Sequence, residues 1–197
     1  MGRKSMVAIR RAEIVDAVQR CIVRKGLAET TMADVAHEAG MQRSAISHFL
    51  GNRDAVISAA IERSCDYYIE LVETVASEHP PERRAQALVD DLIGGKRATP
   101  DPMVLFDEIV ALAHHDQRAR AEVERAYGVL ERELEAALRA RYPAAPSRDR
   151  TTVIHALVLL IDNEERFRVL GLADSRAARQ AAQRLLDSLE SAQPVAS

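Results

Sequence analysis

A polar stretch between Gln42 and Asn52 carries side chains suited to hydrogen bonding with nucleic acid. Arginine and glutamine form paired hydrogen bonds with base edges in the major groove, and serine hydroxyls contact bases or phosphates. The stretch contains no acidic residue that would repel phosphate. We interpret the following residues as outward-facing base or phosphate contacts: Gln42, Arg43, Ser44, Ser47 and His48. The alternative interpretation is a solvated helical hairpin whose polar face binds nothing.

The spacing of small and apolar residues from Met32 to Phe49 predicts how this face is held. Ala36 would let two short helices approach closely where they cross, and Gly40 would supply the positive φ that a tight turn needs. The apolar residues that would close the core of the helix pair are Val35, Ala39, Met41, Ile46 and Phe49. The pattern predicts a helix-turn-helix whose second helix enters the major groove.

Three helices are predicted over the first 50 residues. An apolar stripe at helical spacing defines helix 1 at about 8–25, with Gly26 ending it after two basic residues. Thr31 and Asp34 form a capping-box signature at the start of helix 2, which runs to about Ala39. Helix 3 covers about 43–49. The stripe of helix 1 consists of Ile14, Val18, Cys21 and Ile22.

Glycine, proline and capping residues divide the remaining sequence into six further helices. Helix 4 starts after the Asn52 cap and ends near Ser77. Helix 6 starts with Asp101 as its cap and Pro102 as its first helical residue, and ends near His115. The other four span about 82–97, 117–141, 148–170 and 175–191. Because no strand-like alternation occurs, the sequence predicts an all-α fold of nine helices.

Charge is distributed unevenly along the chain. Residues 1–56 carry nine basic and six acidic side chains, whereas the remainder carries 18 basic and 24 acidic ones. The net charge of −3 for the whole chain hides this difference. A basic N-terminal part joined to an acidic remainder suits a protein that places one end against phosphate.

The sequence gives no sign of membrane insertion or export. No segment approaches the roughly 18 apolar residues that a membrane span needs, and the N-terminus lacks the apolar stretch of a signal peptide. Cys21 and Cys65 stand apart rather than in a CxxC pair, which favours reduced thiols in a core. We therefore expect a cytoplasmic protein without a membrane partner.

Enzyme and metal chemistry find little support in the sequence. It lacks a Glu-x-x-His pair, a nucleophile elbow and a phosphate-binding glycine loop, and Glu164–Glu165 has no metal partner at the right spacing. The run His114–Asp116, with Glu108 nearby, lacks the i, i+4 spacing of helix-borne metal ligands. We expect no enzyme activity, no metal and no cofactor. A helical adaptor that binds only protein remains the alternative to a DNA-binding protein.

The N-terminal part resembles the TetR family of bacterial repressors over about residues 8–57. The resemblance rests on the segments Thr31–Ala36, Ala39–Met41 and Arg53–Val56. The remainder is similar to the family in length, helix count and helix order, and the segment from Leu105 to Arg139, with the end of helix 8, resembles the C-terminal domain of BetI-like members.

This resemblance implies a two-domain, ligand-responsive repressor. A helix-turn-helix DNA-binding domain would occupy residues 1–50, and a helical-bundle domain for ligand binding and dimerisation would occupy residues 51–193. The partners implied are a palindromic double-stranded DNA operator, a small-molecule effector of unknown identity and a second copy of the chain.

Within the matched segments, the resemblance also implies roles for single residues. Thr31 stands where a capping threonine also contacts phosphate, and Arg53 stands where a lysine at the start of helix 4 contacts phosphate. Arg43 and Ser44 match recognition-helix positions. Two residues depart from the family pattern: Ser47 replaces a tyrosine that packs on the DNA backbone, and Gln42 replaces a serine cap of helix 3.

Four basic residues lie before or at the start of helix 1, namely Arg3, Lys4, Arg10 and Arg11. In some members of the resembled family, a basic arm at this position enters the minor groove. A disordered, solubilising tail is the alternative interpretation.

Helices 8 and 9 form the dimer interface that the resemblance implies. Helix 8 is apolar around nearly its whole circumference over residues 153–161, so it must be covered on several sides. Helix 9 has an apolar stripe made of Ala178, Ala182, Leu185, Leu186 and Leu189. These surfaces suit a four-helix interface across a two-fold axis, and burial within one subunit is the alternative.

The resemblance places the effector among helices 4 to 8. Candidate lining residues are Tyr68, Leu88, Leu92, Phe106, Ile109, Leu112, Tyr127, Leu130, His155 and Leu159, each with core packing as the alternative. The scarcity of aromatic residues favours a small or aliphatic ligand over a large planar one. The run Asp162–Arg166 interrupts apolar helix 8 and is either a polar group in the pocket or a salt-bridge cluster in the interface.

Overall fold

The computed structural model describes residues 3–94 and 100–191, and every regular element in these ranges is an α-helix. The helices are α1 (Arg3–Lys25), α2 (Met32–Glu38), α3 (Arg43–Phe49), α4 (Arg53–Ser77), α5 (Pro81–Gly94), α6 (Pro100–Leu112), α7 (Gln117–Arg141), α8 (Ser147–Val169) and α9 (Ser175–Ser191). The predicted all-α fold is therefore confirmed for the described part of the chain.

Most helix boundaries agree with the sequence prediction, and the differences have local causes. Helix α1 begins at Arg3 rather than near residue 8, since no glycine or proline interrupts the intervening sequence. Helix α6 begins at Pro100, so Asp101 is a helical residue and not the predicted cap. A proline suits the first helical position because its missing N–H has no partner there anyway. The predicted end of helix 5 near residue 97 lies outside the described residues.

The described residues form two compact units, and α4 and α7 each contribute to both. The first unit contains the described residues up to Tyr67 together with Pro100–Glu124. Its apolar core joins α1, α2 and α3 through fully or almost fully buried side chains, among them Ile14, Val18, Ile22, Val35 and Ile46. The short helices α2 and α3 thus depend on α1 for burial, as expected for helices too short to be stable alone.

The second unit contains the described residues of 68–94 and 125–191. Helix α9 packs its apolar stripe against α5 and α8, and Ala178, Ala182, Leu186 and Leu189 are all buried there. These four residues of the stripe therefore lie in the interior of the subunit, which was the alternative interpretation, whereas Leu185 is half-buried and dimerisation through α9 stays a prediction. Helical periodicity shows which face of α9 must be covered, but not whether the same chain covers it.

The turn from α7 to α8 is held by a buried arginine. Arg150 is 7% exposed, and its guanidinium donates to the Ala145 carbonyl, to Glu135 at 3.2 Å and to the Ser147 hydroxyl at 3.1 Å. A buried guanidinium needs this set of acceptors, because desolvation would otherwise oppose its burial. The arginine thus fixes the first turn of α8 to the end of α7.

We predict that Arg150→Ala lowers the free energy of unfolding by about 2–3 kcal/mol, because hydrogen bonds to a charged group are lost in a buried place. Urea denaturation followed by circular dichroism measures the change. Arg148→Ala is the matched control, since Arg148 is exposed in the same helical turn. Equal stability losses for the two variants would contradict the role given to Arg150.

Candidate nucleic-acid interface and interior polar cluster

The start of α2 is capped as the sequence predicted. The Thr31 N–H donates to Asp34 Oδ2 at 2.8 Å, and the Asp34 N–H donates to Thr31 Oγ1 at 3.3 Å, which completes a capping box. The Lys25 ammonium also pairs with the Asp34 carboxylate. Lys25, followed by the Thr31 hydroxyl and N–H, holds the pKa of Asp34 well below its usual range. The end of α1 and the start of α2 are therefore joined through one carboxylate.

A glycine ends α2 and turns the chain into α3. Gly40 has a φ of +62°, the left-handed region that the sequence analysis required at this position. The Met41 N–H donates to the Ala36 carbonyl at 3.0 Å, and the Gly40 N–H donates to the His37 carbonyl at 3.2 Å. This pair of bonds is a Schellman motif, which satisfies the last carbonyls of α2 while reversing the chain.

The outer face of α3 contains the five residues interpreted as base or phosphate contacts. Ile46 points into the core with no exposed surface, and Leu50 just after the helix is also buried. In contrast, the side chains of Gln42, Arg43, Ser44, Ser47 and His48 are all exposed. Gln42 makes no capping hydrogen bond, as its replacement of the usual serine suggested. The arrangement leaves an acid-free polar surface on a helix that is anchored by its opposite face.

The loop between α1 and α2 is held by two charged side chains from distant parts of the sequence. Arg53, the first residue of α4, donates to the Leu27 carbonyl at 3.1 Å and to the Thr30 carbonyl at 3.3 Å. Glu108 of α6 accepts the Leu27 N–H at 3.2 Å. The family resemblance implied a phosphate contact for Arg53, and Glu108 was considered only as a metal ligand and rejected. No sequence pattern predicts that Arg53 and Glu108 hold this loop, because their partners are backbone groups 23 to 81 residues away.

Ion pairs also join α1 to α2. Glu38 near the end of α2 accepts from Arg20 at 2.7 Å and from Arg24 at 3.0 Å. These hydrogen bonds lower the pKa of Glu38, Arg20 first and Arg24 second. Two arginines of α1 thereby form ion pairs with α2, the helix that begins with the capping box.

The basic residues near the N-terminus do not form a separate arm before α1. All four positions lie within α1, which begins at Arg3. Arg10 pairs with Glu13 one turn later at 2.7 Å, and Arg11 donates to the Phe49 carbonyl at 3.2 Å. Arg11 thus contacts the last residue of α3. The residues from Arg3 onward are therefore helical rather than a disordered tail, and entry of this basic segment into a minor groove stays a prediction.

The second unit contains a polar cluster whose members are buried or half-buried. The Tyr127 hydroxyl donates to Asp162 Oδ1 at 2.5 Å, and the ring of buried Tyr68 meets the Tyr127 ring edge-on at a centroid distance of 6.2 Å. Arg166 pairs with the other Asp162 oxygen at 3.2 Å. Burial raises the pKa of both phenols, with the Asp162 charge adding to the effect. The contacts of Asp162 with Tyr127 and with Arg166 agree with both interpretations of Asp162–Arg166, a polar group in the pocket and a salt-bridge cluster, so the choice between them stays open.

The ten candidate ligand residues are not brought together in one place. Tyr68, Leu88, Leu92 and Leu130 are buried in the second unit, where Tyr127 is half-buried, whereas buried Phe106 and Ile109 and half-buried Leu112 belong to the first unit. His155 is exposed and lines a surface cleft between α7 and α8. Leu159 is 49% exposed. Ligand contact by these residues stays a prediction. The cluster around Asp162 adds a carboxylate and a guanidinium, which the candidate set lacked.

The histidine pair of the His114–Asp116 run lies at the surface, and Asp116 has a structural task. Its carboxylate accepts the N–H groups of Arg118 at 2.8 Å and Ala119 at 3.0 Å, which caps α7. In residues 3–94 and 100–191, no three side chains of the histidine, cysteine, aspartate and glutamate types are placed to hold a metal ion. Over the same residues, no helix has the length and apolar character to cross a bilayer.

Comparison with known proteins matches the N-terminal part of the chain to regulators. Residues 14–60 match the family model described as bacterial regulatory proteins, tetR family. The HTH-type transcriptional regulator BetI of Burkholderia ambifaria is 33% identical over 91 residues, which cover 45% of this chain and 47% of that protein. BetI of Burkholderia thailandensis is 38% identical over 61 residues, 31% of each chain. The chain thus matches less than half the length of these relatives.

Solved structures share the fold over nearly the whole chain. A TetR transcription regulator from Haloarcula marismortui aligns with a TM-score of 0.78 at 21% identity, covering 92% of this chain and 98% of that one. A Saccharomonospora viridis protein described as a transcriptional regulator, in complex with choline, aligns with a TM-score of 0.78 at 16% identity, covering 91% and 96%. Residues 14–60, which contain the helix-turn-helix, thus match the tetR family of bacterial regulatory proteins, and the chain shares its fold with solved transcription regulators.

Proposed function

We propose that this protein is a cytoplasmic repressor that binds a palindromic DNA operator as a homodimer and is released by a small-molecule effector. The observation that carries the proposal is the acid-free outer face of α3, held in place by the capped and turned α2. Side chains on such a face can form hydrogen bonds with base edges while the helix lies in the major groove.

Residues around α3 support backbone contacts that would set its register. Arg43 is the first residue of α3, and its exposed guanidinium can donate to a phosphate oxygen or to a base edge. Thr31 is exposed at the start of α2, and Arg53 is exposed at the start of α4. We propose that both residues contact phosphate, as the family resemblance implies. Arg53 in addition holds the Leu27–Thr30 loop.

An exposed apolar surface favours dimerisation through the end of α8. Four large apolar side chains are between 46% and 67% exposed there and in the following loop, namely Phe167, Val169, Leu170 and Leu172. Leu159, a little over two helical turns before Phe167, is also exposed. Monomeric proteins rarely leave such side chains clustered in water. We propose that a second copy covers this surface across a two-fold axis, with α8 and the exposed side of α9 forming the interface.

The cluster around Asp162 favours a small organic cation as effector. Aromatic rings together with carboxylates are the groups that recognise quaternary ammonium ions. Tyr68 and Tyr127 supply the rings, and Asp162 supplies the charge. Because Arg166 already pairs with one Asp162 oxygen, a bound cation would approach from the side of the tyrosine rings. The choline found in the Saccharomonospora viridis neighbour belongs to this chemical class.

The DNA-binding proposal is tested by fluorescence anisotropy against duplexes tiling the DNA upstream of the protein's own gene. We expect one palindromic tile to bind two chains, with an affinity that falls steeply as salt rises, because bound phosphates release counterions. Arg43→Ala should cost about 1–3 kcal/mol of binding free energy and relax specificity at one base position.

Arg139→Ala is the matched control, because Arg139 is an exposed arginine on α7, outside the proposed dimer interface, and its loss changes the net charge equally. It should leave operator affinity within about twofold of the unmodified protein. Equal affinity for Arg43→Ala and the unmodified chain would contradict the role of α3. Absence of salt-sensitive binding to every tile would favour a helical adaptor that binds only protein.

The effector proposal is tested by titrating choline in a calorimeter. Asp162→Asn should weaken choline binding about tenfold, near 1.4 kcal/mol, because it removes the counter-charge next to the aromatic rings. Tyr127→Phe should weaken it less, since the ring remains. Glu73→Gln, an exposed acid on α4, is the charge-matched control. Equal binding of choline and its uncharged tert-butyl analogue would contradict recognition of a cation.

A further inference from the structure

The first unit contains a cavity that the proposed function does not use. It lies among α1, α4 and α6 and has a volume of about 230 Å³. Val23, Pro102 and Leu105 form an apolar part of its wall, and Ser64 lines it from α4. The cavity belongs to the unit that contains α3, whereas the cluster around Asp162 belongs to the other unit.

Ser64 gives this cavity an unsatisfied hydrogen-bonding group. Its side chain is 2% exposed, and its Oγ has no hydrogen-bond partner among the residues that the structure describes. Thr30, the other buried hydroxyl residue of the same unit, donates to the Gly26 carbonyl at 2.8 Å. A buried hydroxyl without a partner is unfavourable, so a partner supplied by a ligand would be favoured.

Charges around the cavity do not select an ion of either sign. Asp16 and Arg63 bring opposite charges to the lining, and Arg20 is already paired with Glu38 at 2.7 Å. An ionic ligand would meet repulsion from one of these groups. The lining therefore suits an uncharged molecule that combines an apolar part with one hydrogen-bonding group.

The volume indicates the size of the molecular part that the cavity would surround. An engineered apolar cavity of about 150 Å³ holds benzene, and pockets for drug-sized ligands begin at about 300 Å³. A cavity of about 230 Å³ lies between these values. It accommodates a six-membered ring with a short polar substituent.

We propose that this cavity is a second small-molecule site, which binds a small uncharged alcohol. The ligand hydroxyl pairs with Ser64 Oγ, and its apolar part packs against Val23, Pro102 and Leu105. Arg20 at the same cavity is joined to Glu38 of α2, so the site adjoins the helix that leads into α3. This site is independent of the proposed cation site in the second unit.

Benzyl alcohol and toluene are suitable probes, because they differ by the hydroxyl group. Methyl NMR spectra of the full chain report binding at Val23 and Leu105, with Leu134 in the core of the second unit as the reference. We expect benzyl alcohol to shift the Val23 and Leu105 signals and to leave Leu134 unchanged. Ser64→Ala should weaken benzyl alcohol binding about threefold to tenfold and change toluene binding less than about twofold.

Ser64→Ala removes a buried hydroxyl without a partner, so the variant is expected to fold, and its thermal unfolding provides the check. Two results would overturn the proposal. Unchanged Val23 and Leu105 signals in the unmodified protein would mean that the cavity holds only water. Equal weakening of benzyl alcohol and toluene by Ser64→Ala would mean that Ser64 affects packing and does not pair with a ligand.

Discussion

The position of α2 and α3 depends on how the loop between α1 and α2 is held. The Arg53 guanidinium binds the carbonyls of Leu27 and Thr30, and the Glu108 carboxylate binds the Leu27 N–H. These are charge-assisted hydrogen bonds to backbone groups, so they constrain the path of the chain directly. Since Arg53 begins α4 and Glu108 lies on α6, movement of either helix changes the support of the loop. Helix α4 also contains Tyr68 of the proposed effector site. Arg53 and Tyr68 therefore lie on one continuous helix, and an effector that favoured another position of that helix would change the support of the loop.

Local features of the helix-turn-helix were predictable because their causes lie within a few residues. Thr31 and Asp34 are three residues apart and need only a helix start to form the capping box. A glycine is required at position 40 because the φ of that residue is positive, and only glycine adopts such a φ without strain. Ile46 is buried and its polar neighbours on α3 are exposed, as helical periodicity demands.

Features that join distant segments were not predictable from the sequence. Glu108 binds a backbone N–H 81 residues earlier, and a backbone N–H has no residue type that a pattern can detect. The stripe of α9 showed a face to be buried, yet only the packing against α5 and α8 shows that the same chain buries it. The contact between Asp162 and Tyr127 joins residues 35 positions apart, so no local pattern could reveal it.

Site-directed DNA cleavage tests most directly whether α3 lies against the bases of the operator. Cys21 and Cys65 are both buried, so Ser47→Cys provides an exposed thiol on α3 for a hydroxyl-radical-generating iron chelate. We expect cuts at two positions of the operator, roughly 34 Å or somewhat more apart, and none from the same probe at Arg139→Cys, an exposed position on α7. Intact operator binding without cuts from position 47, or equal cutting from position 139, would contradict the placement of α3 in the major groove.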